Sequence, residues 1–165
     1  MLSIAIATKT LLDLAVVFAV MVVYKSFVGG AHARTNLVCL ISSNIIFFTP
    51  IVVSKLFSFT AFAINTMYIA MFLFSMFVIC YIAPADTEEI PILNSKKRTK
   101  IKIKALISLI CVYIISILFC NQDVQEIILM TILLINVYTT KPIYRLYKCK
   151  YSYESEEFKG YFNKK

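Results

Sequence analysis

Apolar residues run through this chain in long unbroken stretches, separated by short polar breaks. A helix needs about 20 such residues to cross a ~30 Å hydrocarbon core. The stretches that qualify or nearly qualify lie at about 10–28, 37–53, 59–82, 105–120 and 124–139. They are continuous and do not alternate with period two, so they do not read as barrel strands. The pattern predicts an all-α, polytopic transmembrane bundle of about five spans over residues 1–140, with a basic tail over 141–165.

The polar residues inside the spans are few. Asp13 and Lys25 sit near the two ends of the first span, and Asn44 and Pro50 lie in the second. Asn65 and Thr66 fall within the third, where interhelical hydrogen bonding is the expected role. Asp13 reads as the one charge near a span interior, and no intramembrane charge pair stands out, which argues against a secondary transporter. The first span has no basic segment ahead of it and no small-residue cleavage site behind it, so it does not read as a removable signal peptide. Residues 83–104 form the main polar connector, acidic and proline-bearing in its first half and densely basic in its second.

Composition agrees with the pattern. The chain has 165 residues, 60% of them hydrophobic, and a net charge of +8. Of its basic residues, fifteen fall on the side that carries 29–35, 83–104 and the tail, against two, Lys9 and Lys55, on the other. The positive-inside rule then places the glycine turn, the basic loop and the C-terminus in the cytoplasm. A juxtamembrane basic cluster accounts for the charge without nucleic acid. The run Lys96, Lys97, Arg98, Lys100, Lys102, Lys104 has two compatible readings. It fixes topology and binds anionic lipid headgroups of the bilayer, or it docks an acidic peptide.

One stretch carries candidate chemistry. Gly29 and Gly30 precede His32, the only histidine, and Cys39 follows seven residues later. A thiol becomes a nucleophile when a base takes its proton. On one continuous helix a spacing of seven separates the two side chains by about 10 Å along the axis, too far for a hydrogen bond. A turn at the glycines, with Thr35 or Asn36 capping a helix that carries Cys39, removes that obstacle. The alternative is a small buried cysteine beside a solvated interfacial histidine. Cytoplasmic reducing conditions keep Cys39 a free thiol. Cys80, Cys111 and Cys120 read as small apolar residues of the spans, and Cys149 as a tail residue between two lysines. Without a second histidine or a CxxC spacing, no metal site and no cofactor is expected. Asp86 has three readings: it orients His32, binds substrate, or caps the turn after Pro84.

The order Gly30-Ala31-His32-Ala33, Cys39, Tyr81-Ile82-Ala83-Pro84-Ala85-Asp86-Thr87, Pro91 and Lys96-Lys97-Arg98 resembles the accessory gene regulator protein B (AgrB) family. The resemblance runs from span one to span five. It implies a membrane cysteine endopeptidase of bacterial quorum sensing that removes the C-terminal part of an AgrD-like propeptide and assists thiolactone or lactone formation. It implies His32 and Cys39 as the catalytic pair and Gly30 as the motif glycine. Lys25 stands where relatives often carry Arg. Lys25, Gly30, Asp86, Lys96, Lys97 and Arg98 are the candidate substrate-binding residues. The family also suggests a homodimer. Relatives usually carry an amphipathic segment ahead of span one, so a shortened N-terminus is expected here. A non-catalytic relative that binds or exports a peptide is the competing reading.

Overall fold

The computed structural model describes residues 10–31, 35–57, 59–86, 92 and 94–149. Among these, α1 spans Leu11–Val28, α2 Asn36–Leu56, α3 Ala61–Tyr81 and α4 Ser95–Phe119, each long and apolar enough to cross a membrane. Helix α5, Gln122–Tyr138, and the short α6, Lys141–Leu146, complete the described fold. The result is an all-α bundle of multi-pass membrane type.

Helix α5 has 17 residues, about 25 Å at 1.5 Å per residue. It is the axis of the bundle, because its buried residues, Ile127, Ile128, Leu129, Thr131, Ile132, Ile135 and Asn136 among them, point in all directions. A helix walled by protein on every side does not need a lipid-soluble surface, so it tolerates polar residues that an outer helix does not. The main core packs Val20, Tyr24 and Val28 of α1 and Ile64, Tyr68 and Val78 of α3 together with Leu109 and Tyr113 of α4 around Leu129 and Ile132 of α5. A second cluster joins Val17, Ile51 and Ile127, bringing α2 onto the same axis. The outer faces show Leu12, Phe62 and Phe119, all about four-fifths exposed, as expected where lipid is the solvent.

Polar bonds in this setting fix which helices meet. Tyr24 donates to Asn136 Oδ1 at 2.9 Å, and Asn136 Nδ2 donates to Ser75 Oγ at 2.7 Å, tying α1, α5 and α3 in the interior. Tyr68 and Ser116 share a hydroxyl bond of 2.6 Å between α3 and α4. Tyr24 lies in a π-helical turn, Met21–Lys25, that interrupts α1. Such wide turns often mark functional positions in a helix.

Several expectations shift. Asn65 and Thr66 are exposed on the outer face of α3, and the Thr66 hydroxyl donates within its own helix, to Phe62 O at 3.0 Å. They do not join helices; the buried bonds fall instead to Tyr, Ser and Asn residues on inward faces. The basic half of the 83–104 connector is not a loop. It forms the first turns of α4, capped by Asn94, whose Oδ1 accepts from Lys97 N at 3.3 Å. Lys and Arg are good helix formers, and the cap supplies the start signal. The tail folds back: residues 141–149 are ordered against the bundle, while 150–165 lie outside the described residues. Finally, Glu126 joins Asp13 as a charge-bearing group within the spans. It is 2% exposed and accepts from Phe59 N at 3.2 Å. Asp13 pairs with Lys55 at 3.3 Å, at the same end of the bundle as Glu126.

Candidate functional site

The site lies at the other end, where three connections converge. Helix α1 stops at Val28 because Gly29 takes φ +84 and ψ −149, which residues with a Cβ avoid. The chain then pairs with the segment after α3. Ala85 N donates to Val28 O at 2.8 Å, and Gly30 N returns the bond to Ala85 O at 3.0 Å. Ala31 N donates to Tyr138 O at 3.1 Å, anchoring the turn to the end of α5. A Cβ on Gly29 would lie 2.5 Å from Ala85 O, so the clasp requires glycine for space as well as for φ. At Gly30 the nearest atom to a Cβ would be Tyr138 O, at 3.5 Å, and only the φ of +146 demands glycine.

Past this turn, His32, Ala33 and Arg34 lie outside the described residues. Helix α2 then opens on Thr35, whose Oγ1 accepts from Val38 N at 3.4 Å, the cap expected from the sequence. Cys39 therefore sits in the first turn, with its N–H bonded to Thr35 O at 3.0 Å, and is half-buried. Its thiol and the Lys25 ammonium are electrostatic neighbours. The Lys25 chain also passes Gly30, placing its Cε 4.0 Å from where a Cβ would stand. Lys25, Gly30 and Cys39 are thus brought together at one end of the bundle. All five cysteines are free thiols.

Asp86 is buried and its carboxylate is engaged. Arg98 Nη1 donates to Asp86 Oδ2 at 2.9 Å, and Ile92 N donates to the same oxygen at 2.9 Å. Arg98 Nη2 donates to Pro84 O at 3.2 Å, so the guanidinium spans a carboxylate and a backbone carbonyl. The turn at Pro84 carries a backbone bond, Asp86 N to Pro84 O at 3.1 Å. The basic run divides accordingly. Arg98 belongs to this clasp, Lys102 donates to Cys80 O at 2.7 Å, and Lys104 stands over the Phe27 ring at 6.0 Å. Lys96, Lys97 and Lys100 are exposed.

A cavity of about 420 Å³ opens between these parts, lined by Lys25, Gly30, Ala85, Asp86, Ile92 and Ile101 among others. That volume is within the range of small-ligand pockets. Cys39 is not among its lining residues, and Lys25 connects it to the cavity. The surroundings offer one cation, a buried ion pair and apolar walls, a mixture suited to holding a few residues of peptide.

Sequence reasoning did not single out the tyrosines that brace this end. Tyr144 donates to Ala85 O at 2.8 Å, the carbonyl that Gly30 also uses. Tyr147 meets Ser42 on α2 at 2.5 Å, and its ring lies 6.0 Å from that of Tyr138. The spacing of three between Tyr144 and Tyr147 puts both on one side of α6, a signal the tail carried without indicating what it faced.

The chain matches the Accessory gene regulator B family over residues 1–140. It belongs to that family of integral membrane proteins. Among curated relatives it is 31% identical to accessory gene regulator protein B of Staphylococcus saprophyticus over 113 residues, covering 68% of this chain and 57% of the relative. It is 28% identical to an AgrB-like protein of Clostridium acetobutylicum over 134 residues, covering 79% and 62% of the two chains. A similar protein of Listeria innocua is 30% identical over 156 residues, covering 92% of this chain and 74% of the relative. The match thus spans about three fifths of the length of the first two. No solved structure matches.

Proposed function

We propose that this chain is a membrane cysteine endopeptidase that cuts an AgrD-like propeptide and assists closure of its cyclic product. The observation that carries the reading is the meeting of Lys25, the Gly29–Gly30 clasp and the first turn bearing Cys39 at one end of the bundle, beside a peptide-sized cavity. His32 follows directly on Ala31, whose N–H is anchored to Tyr138 O. In this reading the end faces the cytoplasm, as expected from the positive-inside count, and the propeptide reaches it from the cytoplasm or along the inner leaflet.

In this reading His32 takes the proton from the Cys39 thiol, and the thiolate attacks a propeptide carbonyl carbon. The tetrahedral adduct collapses as the C–N bond breaks, with His32 returning the proton to the departing amine. The N-terminal portion remains as a thioester on Cys39. A thiol or hydroxyl within that peptide then attacks the thioester, closing the ring and releasing Cys39 to accept a proton. The Lys25 ammonium, an electrostatic neighbour of Cys39, stands beside the reacting sulfur. Exposed Lys96 and Lys97 attract the acidic part of the propeptide, and Arg98 holds the wall of the cavity through Asp86. A homodimer, suggested by the family, is compatible with the lipid-exposed outer faces.

Co-expression with the cognate propeptide tests the proposal, following peptide size for the parent, Cys39→Ser and His32→Ala. Cleavage by the parent that is lost in both variants supports it. Cleavage that survives Cys39→Ser refutes it, and a parent that binds peptide without cutting it favours the non-catalytic relative.

A further inference from the structure

We infer that Tyr147 and Ser42 are positioning residues for Cys39, joined in a hydroxyl relay that ties the C-terminal strap to the first turn of α2. The inference rests on the reading of Cys39 as the nucleophile.

Ser42 lies three residues after Cys39 and is 8% exposed. Its hydroxyl donates to Val38 O at 2.6 Å. With that proton committed, the Tyr147 hydroxyl is the donor in its 2.5 Å contact with Ser42. The relay therefore runs from Tyr147 to Ser42 to the carbonyl of Val38, which belongs to the peptide group that carries the Cys39 nitrogen. Three residues back along the same short helix, Tyr144 donates to Ala85 O at 2.8 Å, on the carbonyl that also holds Gly30. Residues 144–149 are locked as a unit, since Cys149 N returns to Tyr144 O at 2.9 Å and Lys148 N to Arg145 O at 3.0 Å.

One strap thus grips both halves of the site. Its Tyr144 end holds the glycine clasp that leads to His32, and its Tyr147 end holds the turn that carries Cys39. The strap lies beyond residue 140, where the family match ends.

Thiol reactivity reads out the relay without any peptide substrate. The full-length chain with Cys80, Cys111 and Cys120 changed to Ala and Cys149 to Ser retains Cys39 as its one thiol. Its alkylation by iodoacetamide is followed across pH in detergent. In Tyr147→Phe and in Ser42→Ala the rate at neutral pH falls about three- to tenfold, the range set by losing one neutral hydrogen bond. The midpoint of the pH profile moves, and the double variant loses no more than either single one. In the cleavage assay the single-turnover rate falls by the same factor while KM is unchanged. Tyr68→Phe breaks a hydroxyl bond of the same kind to Ser116, deep in the bundle, and leaves Cys39 labelling unaltered.

Labelling within twofold of the parent in Tyr147→Phe overturns the inference. So do losses that multiply in the double variant, or an equal loss in Tyr68→Phe. Cleavage that persists in Cys39→Ala sinks the protease reading instead, which separates that failure from failure of the relay.

Discussion

Gly29→Ala is the substitution that the clasp tolerates least. The backbone at Gly29 has φ +84 and ψ −149, and a residue with a Cβ held in such a region is strained by about 1–3 kcal/mol. The added Cβ would also stand 2.5 Å from Ala85 O and 3.0 Å from Ala85 C. Both are backbone atoms, so relief requires moving the 84–86 segment away. That carbonyl accepts from Gly30 N at 3.0 Å and from Tyr144 Oη at 2.8 Å, and losing two such bonds costs about 0.5–1.5 kcal/mol each. The total is roughly 2–6 kcal/mol, and a central value of about 4 kcal/mol lowers the closed clasp nearly a thousandfold. Gly30→Ala meets only the φ penalty, because its Cβ would be 3.5 Å from Tyr138 O, so its effect is about thirtyfold. Hydrogen exchange of the Ala85 amide, bonded to Val28 O at 2.8 Å, measures this directly in micelles. Protection falls far more in Gly29→Ala than in Gly30→Ala, and propeptide cleavage follows the same order. Ala85 protection within tenfold of the parent in Gly29→Ala, or a larger loss in Gly30→Ala, refutes the reasoning.

Arg98→Ala leaves the buried Asp86 carboxylate without its 2.9 Å partner, which for buried pairs costs about 3–5 kcal/mol; thermal unfolding in detergent shows a marked drop in Tm. Arg98→Lys restores only part of it, because an ammonium does not bridge Asp86 Oδ2 and Pro84 O as the planar fork does. Lys96→Glu with Lys97→Glu leaves Tm unchanged, since both side chains are exposed, but weakens binding of an acidic propeptide, as read by pull-down at low and high salt. Asn136→Ala removes the bridge between Tyr24 and Ser75 and lowers stability by about 0.6–2 kcal/mol, measured by denaturant titration in mixed micelles. A thiol introduced at Lys97 is labelled by an impermeant maleimide only in inverted vesicles and one at Lys55 only in intact cells; the reverse pattern would overturn the orientation.

The spans were legible because lipid imposes one requirement along each helix: a long apolar run with its backbone bonds satisfied internally. The Thr35 cap was legible for a related reason, since a cap is a local signal lying between a glycine break and an apolar run. The opening of α4 was missed because charge density over 96–104 resembles a solvated connector, while the cap at Asn94 and the helix propensity of lysine decide for helix. Asn65 and Thr66 were misplaced because an unbroken apolar run conceals which face of a helix turns inward. Glu126 escaped notice because its partner, the Phe59 amide, is distant in sequence. The same holds at the site. His32, Cys39 and Gly30 stand out by residue type, but the need for Gly29 comes from Ala85, and the role of Tyr147 comes from Ser42, 105 positions away. Tertiary pairings of this kind leave no periodicity to read.

The most direct test of the central claim is the intact mass of the protein after brief reaction with its propeptide under acid quench. The account predicts an adduct equal in mass to the N-terminal portion of the propeptide, located on the fragment containing Cys39. Hydroxylamine removes it, Cys39→Ala lacks it, and His32→Ala accumulates it slowly if at all. Peptide cleavage that proceeds with no adduct on Cys39, or with the adduct on another cysteine, contradicts the account.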